Sequence, residues 1–157
     1  MKKILVTGAN GSLASYFIPA LRKHHQLFFF NRKEINFDLI EESKKNIHDQ
    51  CFEYKPEIII HCAALTNVDF CEINQEKAFL FNSFFTECLA HYAYERNIKF
   101  IYISTDQVYG GKIAPYLESN PCPINVYGQS KLKGEKYVKS ISNYLILRLN
   151  YVGIGNI

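Results

Sequence analysis

"VTGANGSLAS", Val6 to Ser15, follows the short apolar run "KILVT", Lys3 to Thr7, and opens a segment of helical period, with Gly8, Gly11 and Ala14 in a G-x-x-G-x-x-A pattern. Glycines at this spacing let a chain turn tightly off a strand and bring its backbone close to a ligand, while a small third residue lets helix and strand pack closely. The amides and partial positive charge of the helix start then suit a pyrophosphate. The stretch reads as the first strand-to-helix turn of a dinucleotide-binding fold; a glycine-rich turn with no ligand is the alternative.

The rest of the chain agrees with that turn. "LFFFN", "EIIIHC", "KFIYIS" and "YLILRL" are compact apolar runs suited to strands covered on both faces. Between the runs, 13–24, 40–54, 75–96 and 126–140 carry helical periodicity, the third opened by Asn74 as a cap. This alternation predicts an α/β fold with a doubly wound parallel sheet, a Rossmann-like NAD(P)-binding domain over residues 1–157. With 157 residues, 48% of them hydrophobic, one domain is expected. The loop-like region is 110–125, "GGKIAPYLESNPCPIN", dense in Gly, Pro and Asn.

Composition excludes several classes of partner. A net charge of +3, with lysines scattered instead of clustered, gives no reason to expect nucleic acid or a membrane surface. Five cysteines without a C-x-x-C pair fit neither a disulfide framework nor a zinc site and point to reduced thiols. The start "MKKILVTGANG" is too short an apolar run for a signal peptide, so a soluble cytoplasmic protein is expected.

Two further segments bear on chemistry. The second strand ends "FFFNRKE", where a carboxylate would accept from the 2′-hydroxyl of NAD and a cation would accommodate the 2′-phosphate of NADP. Asn31 and Arg32 stand there, followed by Lys33, so NADP(H) is favoured over NAD(H), with a solvated basic turn as the alternative. In "NVYGQSKLKGE", Tyr127 and Lys131 lie four apart on one helix face. A lysine beside a phenol favours the phenolate, lowering a pKa that starts near ~10 and making Tyr127 a workable acid for a carbonyl oxygen. The spacing alone says little, because about one chance Y-x-x-x-K is expected in such a chain. "YISTDQVYGG" supplies context: Ser104, Thr105 and Asp106 stand at a strand end, at the sheet edge where such folds bind ligands. A hydroxyl there can bond the carbonyl oxygen that Tyr127 protonates. His61, His91 and the His24-His25 pair have no partners at metal-ligand spacing and read as structural or surface residues.

Together, "TGANGSLA", "HCAALTNVDFCE", "STDQVYG" and "NVYGQSKLKGE" resemble the extended short-chain dehydrogenase/reductase superfamily, and most closely the dTDP-4-dehydrorhamnose reductase family. The resemblance implies a nicotinamide cofactor and hydride delivery to the C4 keto group of a dTDP-4-keto-6-deoxy sugar in dTDP-rhamnose biosynthesis. By motif match it implies that Gly8, Gly11, Ser12 and Leu13 hold the pyrophosphate, that Asp38 and Leu39 border the adenine, and that Ala63, Ala64 and Thr66 line the cofactor. It makes Tyr127 and Lys131 the catalytic pair, Thr105 the hydroxyl partner and Asp106 a substrate contact.

Sugar-nucleotide 4,6-dehydratases resemble the chain at "STD" but follow it with a glutamate; Gln107 stands here, and an amide cannot act as a carboxyl acid or base. Other nucleotide-sugar reductases or epimerases of the superfamily remain open. So does a non-catalytic, NADP-binding regulatory subunit like the β subunit of methionine adenosyltransferase. The resemblance covers the N-terminal part of the family's architecture, before the substrate domain. An N-terminal fragment is therefore expected, its last strand covered by a second copy or by a complementing C-terminal chain.

Overall fold

A computed structural model of the chain describes residues 1–30, 40–111 and 114–150. Five strands, β1 (Lys3–Thr7), β2 (Gln26–Phe29), β3 (Ile58–His61), β4 (Lys99–Thr105) and β5 (Tyr144–Leu149), form one parallel sheet in the order β2-β1-β3-β4-β5. The helices are α1 (Ser12–Arg22), α2 (Ile40–Tyr54), α3 (Val68–Ile73), α4 (Gln75–Phe79), α5 (Phe85–Glu95) and α6 (Val126–Val138).

The unbroken apolar strands are explained by what lies on each face. Successive strand side chains alternate sides, and Leu5, Ile59, Phe100 and Tyr102 face Ile47 of α2, Leu89 of α5 and Val138 of α6. On the other side Ile4, Val6 and Ile60 meet Phe17, Ile18 and Leu21 of α1. Each fully buried aliphatic side chain contributes about 1.5–3 kcal/mol. The sheet is thus doubly wound, as the βαβα alternation predicts. At the outer edge, β5 keeps Tyr144 and Leu145 exposed.

Two local expectations change. The helix expected over 75–96 runs without a gap from Gln75 to Glu95 but contains a π-helical turn at Leu80–Phe84 between α4 and α5. Asn74 does not cap α4 through its side chain, because its Nδ2 donates to the Phe70 carbonyl and closes α3 instead. The helix α3, which periodicity does not reveal, starts at Asn67, whose Oδ1 accepts from the Phe70 amide at 2.8 Å.

Candidate active site at the carboxyl edge of the sheet

In a parallel sheet all strands end at the same edge, and the crevice opens where strand order reverses. Here that point lies between β1, which turns outward to β2, and β3, which crosses to the other side. A cleft of about 1030 Å³ occupies this edge, at the upper end of ordinary ligand sites.

The wall between β1 and β3 is built for close backbone approach. Gly8 has φ +68, and a Cβ there would stand 2.7 Å from the Ala63 nitrogen and 2.9 Å from its Cα. Only glycine takes this conformation and this proximity together. The Gly11 amide closes the turn on the Gly8 carbonyl at 2.9 Å, and α1 follows with no acidic residue in its first turn, so its positive end is not neutralised.

Behind that wall runs an ordered chain of hydrogen bonds. The Ala63 amide donates to Thr7 Oγ1 (3.2 Å), Thr7 Oγ1 meets His61 Nδ1 (2.6 Å), His61 Nε2 meets Thr86 Oγ1 (2.9 Å), and Thr86 donates to the Asn82 carbonyl (2.9 Å). Because the Thr86 proton is committed to Asn82, the proton on the ring sits on Nε2 and Nδ1 accepts from Thr7. Full burial holds the imidazole neutral, its pKa well below the ordinary value, with Lys131 adding to that shift. His61 is structural, as its isolation in the sequence suggests.

On α6, Tyr127 and Lys131 both line the cleft. Burial is the main influence on the Tyr127 phenol and raises its pKa, as do Cys71 and Asp106, with the nearby Thr105 hydroxyl opposing the rise. The expected lowering by Lys131 is therefore not what the geometry gives. Lys131 is 1% exposed, its Nζ donates to the Ile103 carbonyl at 2.7 Å and lies 4.1 Å over the Tyr102 ring. Burial lowers its pKa to about 7, against the raising influence of Cys62 and Glu135. A lysine that has given up much of its charge is a weak stabiliser of a phenolate.

The mouth of the cleft is fixed by groups that sequence reasoning did not single out. Glu135, fully buried, binds Arg148 of β5 through both oxygens, Nε at 2.9 Å and Nη2 at 2.6 Å, and accepts from Ser104 at 2.6 Å. Arg148 Nη1 also donates to the Tyr109 hydroxyl and the Glu118 carbonyl, both at 2.8 Å, which ties the loop after β4 to β5 and α6. Asn82, in the π-helical turn, grips the Leu65 backbone at both its amide (2.8 Å) and its carbonyl (3.0 Å). The wide turn lets this buried amide face both the Leu65 loop and Ser130 of α6.

The cleft brings together Gly8, Gly11, Ser12, Leu13, Ala63, Ala64, Thr66, Thr105, Asp106, Tyr127 and Lys131, eleven of the expected site residues. Asn31, Arg32, Asp38 and Leu39 lie outside the described residues. Cys62 and Gln107, not assigned to the site from sequence, also line it. All five cysteines are free thiols, and burial raises the pKa of Cys62 to about 11 and those of Cys51 and Cys88 to about 12. Among the described residues there is no cluster of His, Cys, Asp and Glu fit to hold a metal, and no helix long and apolar enough to cross a membrane.

The glycine turn, the uncancelled helix start and the size of the cleft fit a dinucleotide. Comparison with known proteins agrees with this architecture. The sequence model of the RmlD substrate binding domain matches residues 1–154. A probable low-salt glycan biosynthesis reductase, Agl14 of Haloferax volcanii, is 37% identical over 94% of this chain and 52% of its own. The β subunit of methionine adenosyltransferase 2 from Bos taurus is 32% identical over 87% of this chain and 42% of its own. A crystal structure of dTDP-4-dehydrorhamnose reductase from Bacillus anthracis in complex with NADP superposes with a TM-score of 0.82, at 33% identity, over 94% of this chain and 52% of that one. The chain thus spans about half the length of the relatives it matches.

Proposed function

The chain belongs to the RmlD substrate binding domain family, and we propose that it binds a nicotinamide dinucleotide and serves the reduction of the C4 keto group of a dTDP-4-keto-6-deoxy sugar, as in dTDP-rhamnose biosynthesis. The observation that carries this is the meeting, in one cleft, of the Gly8 turn with Tyr127, Lys131 and Thr105. NADP(H) is favoured over NAD(H) because Asn31, Arg32 and Lys33, and no carboxylate, stand at the tip of "FFFNRKE", with Glu34 coming only after them. The free thiols suit a cytoplasmic setting.

The residues divide the work as follows. A bound nicotinamide supplies the hydride. Gly8 and Gly11 admit the pyrophosphate to the α1 amides, and Ala63, held to Thr7, fixes the opposite wall. Tyr127 keeps its proton at neutral pH because burial disfavours the phenolate, so it is loaded as the acid for the carbonyl oxygen. Thr105 lines the same cleft, and its hydroxyl, which donates to Asp106 Oδ1 at 3.2 Å in this structure, is the group offered to the same carbonyl oxygen. Lys131 presents Nζ in the same cleft as a donor to a ribose hydroxyl. Asp106, beside Thr105, faces the sugar.

The test is loss of reduced-cofactor absorbance with a dTDP-4-keto-6-deoxy sugar, comparing the chain with Tyr127→Phe. Turnover abolished by the substitution is expected; equal turnover overturns the assignment. A second reading, a nucleotide-binding regulatory subunit without turnover, is supported by the similarity to the methionine adenosyltransferase 2 β subunit. Cofactor binding with no turnover on any nucleotide sugar would favour it. Among the described residues β5 is an edge strand, with Tyr144 and Leu145 exposed, which supports association with a second copy or another chain. A monomer in sedimentation at high concentration would contradict that.

A further inference from the structure

The side chain of Gln107 is held in a defined sense. The Gly128 amide donates to Asn125 Oδ1 at 2.7 Å, and Asn125 Nδ2 donates to Gln107 Oε1 at 2.7 Å. A backbone N–H can only donate, so the atom it meets on Asn125 must be the oxygen, and the other end of that amide must be the NH₂ group. That group in turn requires the oxygen of Gln107. One backbone proton therefore orients two amides in series, and Gln107 Nε2 is left with no hydrogen-bond partner among the described residues.

The placement of this donor is equally constrained. Gln107 lines the cleft, and its own amide bonds Thr105 Oγ1 at 3.2 Å. A Cβ at position 128 would overlap the Gln107 carbonyl oxygen, so glycine there lets the start of α6 close directly onto Gln107. Next to it, Asp106 uses Oδ1 to accept from the Thr105 hydroxyl at 3.2 Å. The mouth of the cleft thus presents a carboxylate acceptor and an amide donor side by side, the complement of neighbouring oxygens on a sugar ring.

We propose that Gln107 is a specificity-determining residue whose Nε2 donates to an oxygen of the substrate's sugar ring, paired with Asp106 as acceptor. This rests on the nucleotide-sugar reading above and extends it to a contact that the neighbouring carboxylate alone could not make. A ligand without an oxygen at that place leaves the Gln107 donor unpaired and is disfavoured.

Gln107→Glu isolates the claim. A glutamate still offers an oxygen to Asn125 Nδ2, so the amide chain and the α6 contact persist, while the other end of the side chain changes from donor to acceptor. The measurement is calorimetric titration of parent and variant with NADP⁺, then with dTDP-glucose in saturating NADPH, a pair with no carbonyl for hydride to reduce, together with thermal melting. The expected result is dTDP-glucose affinity weakened about 10-fold or more, with NADP⁺ affinity within about 3-fold and melting unchanged. Equal dTDP-glucose affinity in both proteins overturns the proposal, as does a parent that binds NADP⁺ but not dTDP-glucose; in both cases the cofactor reading stands. Failure of the parent to bind NADP⁺ removes that reading and the proposal with it.

Discussion

Removing the guanidinium of Arg148 should unsettle the site from outside the cleft. Arg148→Met leaves Glu135, fully buried, with Ser104 as its remaining hydrogen-bond donor in place of three donors, and it frees the Tyr109 hydroxyl and the Glu118 carbonyl. Breaking a buried pair on one side costs about 3–5 kcal/mol, because a buried charge is left uncompensated. For a chain of this size about 2–4 °C accompanies each kcal/mol, so the fall in Tm should be about 6–20 °C. The double replacement Glu135→Leu with Arg148→Met removes both charges and should recover much of that loss. Urea unfolding of the two singles and the double measures the coupling directly. A single-variant loss under about 1 kcal/mol, or a double no better than the worse single, would refute the view that this pair holds α6, β5 and the loop in register.

Gly8→Ala should destabilise the fold by about 2–4 kcal/mol, since the positive φ and the 2.7 Å approach to the Ala63 nitrogen act together, and should weaken dinucleotide binding at least tenfold; parent-like binding in calorimetry would contradict the close-approach argument. Stability should also depend on pH through Lys131. Its folded pKa of about 7 lies below the unfolded value of about 10.4, so the folded state binds fewer protons between them and stability rises with pH there. The slope approaches about 1.4 kcal/mol per unit above pH 7, before the thiols begin to titrate in the unfolded chain near pH 8.5, and Lys131→Met should flatten it. Chemical denaturation across this window, with an unchanged slope in the variant, would sink the assignment. Tyr127→Phe should leave NADPH affinity within about twofold while abolishing turnover, because the lost proton acts in the transition state; calorimetry and the absorbance assay read the two effects separately.

What could be read from the sequence was whatever local pattern encodes. Apolar runs such as Ile58–His61 and Lys99–Thr105 marked strands because both sheet faces are covered, and Gly8 marked the turn because no other residue takes its φ beside Ala63. Tyr127 and Lys131 were legible as neighbours on one helix face from their spacing, and as a candidate pair only beside "YISTDQVYGG". The state of Lys131 was not: its depressed pKa comes from burial, with its Nζ against Ile103 and Tyr102 of β4. The π-helical turn at Leu80–Phe84 has no compositional marker, and its purpose, aiming Asn82 at Leu65 and Ser130, exists only after packing. The Asn125 to Gln107 link likewise spans a loop that reads only as turn residues.

The most direct test of the central claim is calorimetric titration of the purified 157-residue chain with NADPH and, separately, NADH. Saturable binding with NADPH the tighter ligand is the predicted result. If neither dinucleotide binds, the cleft at the carboxyl edge is not a cofactor site in this chain, and the catalytic roles given to Tyr127, Lys131 and Thr105 fall with it.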